Sequence, residues 1–201
     1  MKLYTFAQAA NPRKVQIYLA EKQLNLDTVE VSMPGSKHHQ RDYLARNPMA
    51  AVPILELDDD RALTEADAII EYLEELHPEP PLLGTDPWSK ALTREITTLA
   101  ERGLLDTALL AIEHSSEEYA NQVSQVPAVA EHAKARFANV VTLFDNLLVH
   151  HEYLAGNRFT VADITAFVGL EFGSEGGCLV PSDAKNIAAW FKKVSARAST
   201  R

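Results

Sequence analysis

The sequence predicts two domains of different class: an α/β domain over residues 1–80 and an all-α helical bundle over residues 87–201. Three observations predict this division. Short apolar segments typical of strands occur only before residue 64. A proline-rich stretch at residues 77–81 interrupts the chain. Every later apolar pattern has the period of a helix, so the second domain is expected to contain helices alone.

The composition and charge exclude several classes of protein. The chain has 201 residues, of which 46% are hydrophobic and 23% charged, as in ordinary globular proteins, and no apolar run approaches the ~20 residues of a membrane span. A net charge of −9 argues against a nucleic-acid partner. The only cysteine, Cys178, forms no internal disulfide, and no Cys/His spacing indicates a metal site. The N-terminus lacks the apolar core of a signal peptide, so we expect a cytoplasmic protein without a membrane partner.

The α/β domain is predicted to run β-α-β and then β-β-α. Asn11 and Pro12 indicate a helix start, with Asn11 as the N-cap and Pro12 in the first helical position. Thr64 and Asp67 have the spacing of a capping box, with Thr64 as the N-cap of a later helix. The predicted strands are residues 2–6, 24–31, 54–57 and 61–63, the predicted helices are residues 11–22, 41–46 and 64–76, and a polar loop covers residues 33–40.

The second domain contains two further helix-start signals. Asp86 and Pro87 repeat the pattern of a cap followed by proline, and Thr160 and Asp163 have the spacing of a capping box. Residues 173–177 form a glycine-rich interruption. The predicted helices are residues 87–114, 124–151, 160–173 and 184–197.

Residues 47–55 carry two prolines, Pro48 and Pro53, ahead of an apolar strand. Pro53 opens the strand, where a proline removes no ladder hydrogen bond. An X–Pro bond prefers the trans form by only ~0.5–1 kcal/mol, so the bond between Val52 and Pro53 can adopt the cis form. That bond would turn the Val52 N–H and C=O outward, ready to pair with an extended peptide. The alternative is an ordinary loop that leads into a strand.

Taken together, these segments resemble the cytosolic glutathione transferases over nearly the whole chain. The resemblance implies a thioredoxin-like first domain, an all-α second domain, a homodimer, and an enzyme that uses glutathione as co-substrate and needs no other cofactor and no metal. The segments that carry the resemblance are residues 47–55, 63–73, 160–163 and 186–191.

The resemblance also implies where glutathione binds. Val52 and Pro53 would hold its cysteinyl backbone, Glu65 would pair with the γ-glutamyl ammonium, and the Ala66 N–H would bind the γ-glutamyl carboxylate at a helix N-terminus. The family usually has serine where this chain has Ala66, and losing that hydroxyl is expected to weaken binding roughly tenfold. The glycyl carboxylate requires a cation, for which His38 lies at the family's position. The alternatives are Lys37, His39 and Arg13.

The group that activates the thiol is less directly indicated. A thiol with a pKa near 8.5 is only ~3% thiolate at pH 7, so the site requires a hydrogen-bond donor or a positive field at sulfur. The family's serine position falls on Ala9, and no cysteine is nearby. Asn11 remains, and Phe6, Ala7 and Asn11 are similar to the nu class of bacterial glutathione transferases. Asn11 as a mere helix cap is the alternative, and the other donors are Gln8, Thr5 and Tyr4.

Three functions follow from these observations. The first is conjugation of the glutathione thiolate to a small hydrophobic electrophile. The second is glutathione-dependent disulfide reduction, which a site without its own cysteine also permits. The third is a non-catalytic binding or interaction module, which Ala9 and Ala66 favour because each lacks a hydroxyl that the site would use. The candidates for lining an electrophile pocket are Glu101, Arg102, Leu105 and Asp106.

Overall fold

The structure is a computed structural model that describes residues 1–31 and 41–201. The chain divides into two compact units, Met1–Pro81 and Leu82–Arg201. The first unit contains a four-stranded sheet with helices, and the second contains helices, so the predicted fold classes are confirmed. The predicted polar loop and three of the cation candidates lie outside the described residues, namely Lys37, His38 and His39.

The sheet of the first unit has the order β2-β1-β3-β4. β1 pairs with β2 in parallel and with β3 in antiparallel orientation, and β3 and β4 form the predicted antiparallel hairpin. Tyr4 lies opposite Ile54, which lies opposite Thr64, so the next-to-last residue of β1 and the last residue of β4 flank the first residue of β3. The strands are β1 Lys2–Thr5, β2 Asp27–Glu30, β3 Ile54–Glu56 and β4 Ala62–Thr64.

Three helices accompany this sheet: α1 Ala10–Glu21, α2 Arg41–Arg46 and α3 Ala66–Leu76. The predicted apolar face of α1 is confirmed, because Val15 and Tyr18 are fully buried. The second strand is shorter than predicted and its four residues are exposed, since only Val31 just beyond it reaches the core.

The predicted start of α1 is wrong by two residues. Ala9 is the N-cap, Asn11 is the second residue of the helix and Pro12 is the third. No N–H in the first turn of a helix has an intrahelical partner, so proline fits at any of these positions. Pro12 therefore marks the first turn without marking its first residue, and Asn11 is not a cap.

The predicted capping box of α3 is also wrong. Thr64 is the last residue of β4, and the N-cap is Glu65, whose side chain makes no capping hydrogen bond. Glu65 has φ 70° and ψ 123°, a left-handed backbone conformation that is unusual for a residue with a side chain. Asp67 lies 2.8 Å from the Lys14 Nζ atom, so its carboxylate faces α1.

A buried ion pair fastens α1 to the far end of α3. The Lys22 Nζ atom lies 2.6 Å from the Glu74 carboxylate and donates to the carbonyl oxygens of His77 and Pro80 at 2.7 and 2.6 Å. The Tyr18 hydroxyl donates to the same carboxylate at 2.7 Å, and burial together with this carboxylate raises the pKa of Tyr18. Removing one member would leave a buried charge uncompensated, at a cost of about 3–5 kcal/mol.

The second unit is built around α7. Asp86 is the N-cap of α4 with Pro87 in its first position, as predicted. The predicted first long helix is divided, because a π-helical turn at Glu101–Leu105 joins α4 to α5. No helix among the described residues combines the length and the apolarity that crossing a membrane requires. The helices are α4 Pro87–Ala100, α5 Asp106–Ser115, α6 Pro127–Leu147, α7 Val161–Glu175 and α8 Lys185–Ser195, with short 3-10 turns at Glu117–Tyr119 and Ala198–Thr200.

Asp163 fixes the start of α7, whose residues 161–170 are all buried. Its carboxylate accepts hydrogen bonds from the Thr160 N–H and hydroxyl, the Leu154 N–H and the Trp190 indole N–H, at 3.0 to 3.2 Å. The predicted capping box is thus confirmed. Burial raises the pKa of Asp163 to about 6, against the opposing effect of these hydrogen bonds.

Candidate active site

The loop before β3 is held in place by two polar side chains. Asn47 is 4% exposed, its Nδ2 donates to the Ala51 carbonyl at 2.9 Å, and its Oδ1 accepts from the Met49 N–H at 3.0 Å. The Tyr43 hydroxyl donates to the same Ala51 carbonyl at 2.6 Å. These contacts fix the backbone immediately before Val52.

Val52 has a backbone with open hydrogen-bonding groups. The Val52–Pro53 peptide bond is cis, as the sequence allowed. Neither the N–H nor the C=O of Val52 makes a hydrogen bond with another residue that the structure describes. A residue whose N–H and C=O both lack hydrogen-bond partners is able to pair with an extended ligand in the manner of an added strand.

The N-terminus of α3 lies beside this loop. Pro53 precedes Ile54, Glu65 follows Thr64, and Ile54 and Thr64 are paired across the hairpin. Glu65 is exposed, and within the described part of the chain its carboxylate makes no hydrogen bond or ion pair with another side chain. Ala66 is 3% exposed, and no described residue accepts a hydrogen bond from its N–H. Unsatisfied N–H groups and the helix dipole make such an end attractive to an anion.

The start of α1 reaches the same end of the unit. Asn11 lies one turn before Lys14, whose Nζ atom contacts Asp67 in the first turn of α3. The structure therefore brings Asn11 to the end of the unit that holds Val52, Pro53, Glu65 and Ala66.

Asn11 itself is half-buried and is not used as a cap. Its Oδ1 atom is buried without a hydrogen-bond partner among the described residues, an arrangement that is costly for a polar group. Arg13, two residues further on, is also half-buried.

The other donors considered for the thiol are placed differently. Thr5 is buried, and its hydroxyl oxygen accepts from Gln16 at 3.0 Å. Tyr4 donates to Glu56 at 3.1 Å, and burial followed by this hydrogen bond raises the pKa of Tyr4. Gln8 is exposed. Of the four candidates, Asn11 is the one with a buried polar atom left open, and because that atom is the Oδ1 acceptor, the donor to a thiol would be its Nδ2 group.

Lys14 is the residue of this region that the sequence analysis missed. Its side chain is 1% exposed although lysine is rarely buried. One signal was available: Lys14 lies four residues before Tyr18, on the apolar face of α1.

Comparison with known proteins agrees with this architecture. Residues 3–81 match the family model described as "Glutathione S-transferase, N-terminal domain", and residues 104–198 match "Glutathione S-transferase, C-terminal domain". "Glutathione S-transferase 2" of Saccharomyces cerevisiae is 30% identical over 205 residues, which cover 100% of this chain and 88% of that protein.

Two further similarities extend this result. "Maleylacetoacetate isomerase" of Pseudomonas aeruginosa is 42% identical over 101 residues, which cover 49% of this chain and 48% of that protein. The crystal structure of a glutathione S-transferase domain-containing protein from Marinobacter aquaeolei superimposes with a TM-score of 0.93 at 33% identity, and the match covers 100% of both chains. These matches confirm the predicted enzyme class. The chain therefore belongs to the glutathione S-transferase family.

Proposed function

We propose that this glutathione transferase binds glutathione at the end of its first unit and conjugates the thiolate to a small hydrophobic electrophile. The observation that supports this most directly is the open backbone of Val52 beside the N-terminus of α3. Glutathione is an extended peptide with an anionic end, and these two features suit its two kinds of group.

Each part of glutathione is assigned to a residue near this point. The cysteinyl backbone pairs with Val52 next to Pro53, and the γ-glutamyl carboxylate accepts from the Ala66 N–H. The exposed Glu65 carboxylate pairs with the γ-glutamyl ammonium. Arg13 is a candidate cation for the glycyl carboxylate, together with His38, which lies outside the described residues.

Asn11 is assigned to the sulfur. Its amide is not occupied by a capping role, and it stands in the first turn of α1, where the helix dipole favours an anion. A donor aimed at sulfur in a positive field lowers the pKa of a thiol, and the thiolate is the attacking species.

Calorimetric titration with glutathione tests the binding site. The wild-type protein is expected to release heat with one glutathione bound per chain. The variant Glu65→Gln is expected to bind about tenfold more weakly, because it loses a charge-assisted contact to the ammonium. Glu75→Gln is the matched control, since Glu75 is exposed on the same helix near its other end. Equal affinity of Glu65→Gln and wild type would contradict the assignment.

The chemistry is tested separately from binding. A chlorodinitrobenzene-type electrophile reports conjugation, and a hydroxyethyl disulfide reports disulfide reduction. Faster turnover of the electrophile supports the proposed function, whereas faster turnover of the disulfide would assign the enzyme to disulfide reduction.

A further inference from the structure

Lys14 combines a full charge with almost complete burial. Its side chain is 1% exposed, and its Nζ atom lies 2.8 Å from the Oδ1 atom of Asp67. Lys14 is the fifth residue of α1 and Asp67 the second residue of α3, so the pair joins the N-terminal ends of the two helices.

The position of Lys14 is unfavourable for stability on two grounds. Removing an ammonium from water costs several kcal/mol, and the positive end of the helix dipole opposes a cation near a helix N-terminus. Replacement of a buried ion pair by apolar residues is often neutral or stabilising. A buried lysine here is therefore poorly explained by stability alone, which directs attention to the ligand site beside it.

The negative charge of Asp67 opposes the binding of another anion at the start of α3, and the Lys14 ammonium lies close enough to offset that charge. An acidic side chain in the first turn of a helix favours the dipole, but it also repels any other anion that binds to the same helix end. The side chain of Asp67 is 45% exposed, so its charge reaches the surface where a carboxylate would approach Ala66. The buried ammonium opposes that charge, and salt screens it little because it is buried.

We propose that Lys14 is a positioning residue of the glutathione site, which offsets the Asp67 charge so that the N-terminus of α3 accepts the γ-glutamyl carboxylate. This inference rests on the proposed function, because it assumes that glutathione occupies this helix end. Ala66 increases the importance of Lys14, because it offers no hydroxyl to the same carboxylate.

The two members of the ion pair should then have opposite effects on binding. Lys14→Met leaves the Asp67 charge unopposed and is expected to weaken glutathione binding about tenfold. Lys14→Arg keeps the charge and is expected to retain most of the affinity. Asp67→Asn removes the repelling charge and leaves the ammonium in place, so this variant is expected to bind glutathione more tightly than the wild type.

Comparison of two ligands distinguishes a positioning role of Lys14 from general structural damage in the Lys14→Met variant. The second ligand is 4-aminobutanoyl-cysteinyl-glycine, which keeps the ammonium of glutathione and lacks the γ-glutamyl carboxylate. The wild-type protein is expected to prefer glutathione over this analogue about tenfold, and Lys14→Met is expected to lose most of that preference. A merely structural role would weaken both ligands equally and leave the preference unchanged.

The outcomes keep the two proposals distinct. Absence of glutathione binding by the wild-type protein would overturn the proposed function. Wild-type binding with an unchanged ligand preference in Lys14→Met would overturn the present inference alone. Melting temperatures are measured for all variants, and if Lys14→Met does not fold, Asp67→Asn decides. Tighter glutathione binding by folded Asp67→Asn would support the role of Lys14, and equal or weaker binding would overturn it.

Discussion

The proposed chemistry depends most on Asn11. Its side chain does not cap α1, because the helix begins two residues earlier than the sequence predicts. With Ala9 as the N-cap, the amide of Asn11 is released from the backbone role that its residue type usually favours. A side chain in the second helical position still lies in the positive field of the helix end. An asparagine two positions earlier would stand at the N-cap of α1, where its side chain would accept a hydrogen bond from the helix backbone.

Asn11→Ala tests this role. The pKa of the bound glutathione thiol is expected to rise by about one unit, because a hydrogen bond to a charged group is worth ~1.5–3 kcal/mol and one pKa unit corresponds to 1.36 kcal/mol. The free energy of unfolding is expected to change little, since no cap is lost. The thiolate absorbance in the ultraviolet is measured against pH, with Gln8→Ala as the control. An unchanged thiol pKa in Asn11→Ala would contradict the role of Asn11 as the activating donor.

At the scale of single residues, sequence reasoning succeeded where a motif fixed the backbone. The cis bond before Pro53 is allowed by a local feature of the sequence, a proline at the start of a strand. The role of Glu65 comes from the family resemblance and stays a proposal. The burial of Lys14 and Lys22 was missed, because a lysine is expected to be exposed and its partner, Asp67 or Glu74, lies more than fifty residues away. Only the tertiary structure brings these charges together.

At the scale of elements, helix positions were predicted better than helix ends. Asp86 and Thr160 were recognised as caps because each is followed by a clear helix. Thr64 was misassigned because the pairing of β4 with β3 extends to it, and pairing is not visible in a local pattern. The π-helical turn at Glu101–Leu105 was missed for a similar reason. It is accommodated by Gly103, where an added Cβ would lie 2.5 Å from Val140 of α6.

The start of α7 gives a pH-dependent prediction. Because the pKa of Asp163 is about 6 in the folded protein and about 3.9 in an unfolded chain, the folded state binds its proton more tightly. Stability from this group is therefore full below pH 4 and is lost as the pH rises towards and through 6. The unfolding free energy of the wild type minus that of Asp163→Asn is expected to fall by on the order of 2–3 kcal/mol over this range.

Urea unfolding of the wild type and of Asp163→Asn between pH 4 and 7 measures this difference. The contributions of most other titrating groups are the same in both proteins and cancel. A difference that stays constant, or that grows with pH, would show that the four hydrogen bonds to the carboxylate outweigh its burial.

At the scale of the whole molecule, the resemblance of the chain to its family covers both units, and we propose that it forms a homodimer as the family does. Sedimentation equilibrium is expected to give about twice the chain mass of 22.2 kDa. The charge of −9 on each chain opposes association, so the dimer is expected to strengthen as salt rises towards ~0.15 M. A single species with the mass of one chain at micromolar concentration would contradict this proposal.

At Glu65, thermal stability and the proposed ligand binding favour different residues. Its φ of 70° suits glycine better than glutamate, and such conformations cost of order 1–3 kcal/mol. A screen that rewards heat resistance alone would favour glycine at this position and lose the carboxylate in the same step. Laboratory evolution of this protein should therefore hold residue 65 fixed or select for activity in every round, because a stabilising glycine at this position would remove the proposed contact to the γ-glutamyl ammonium.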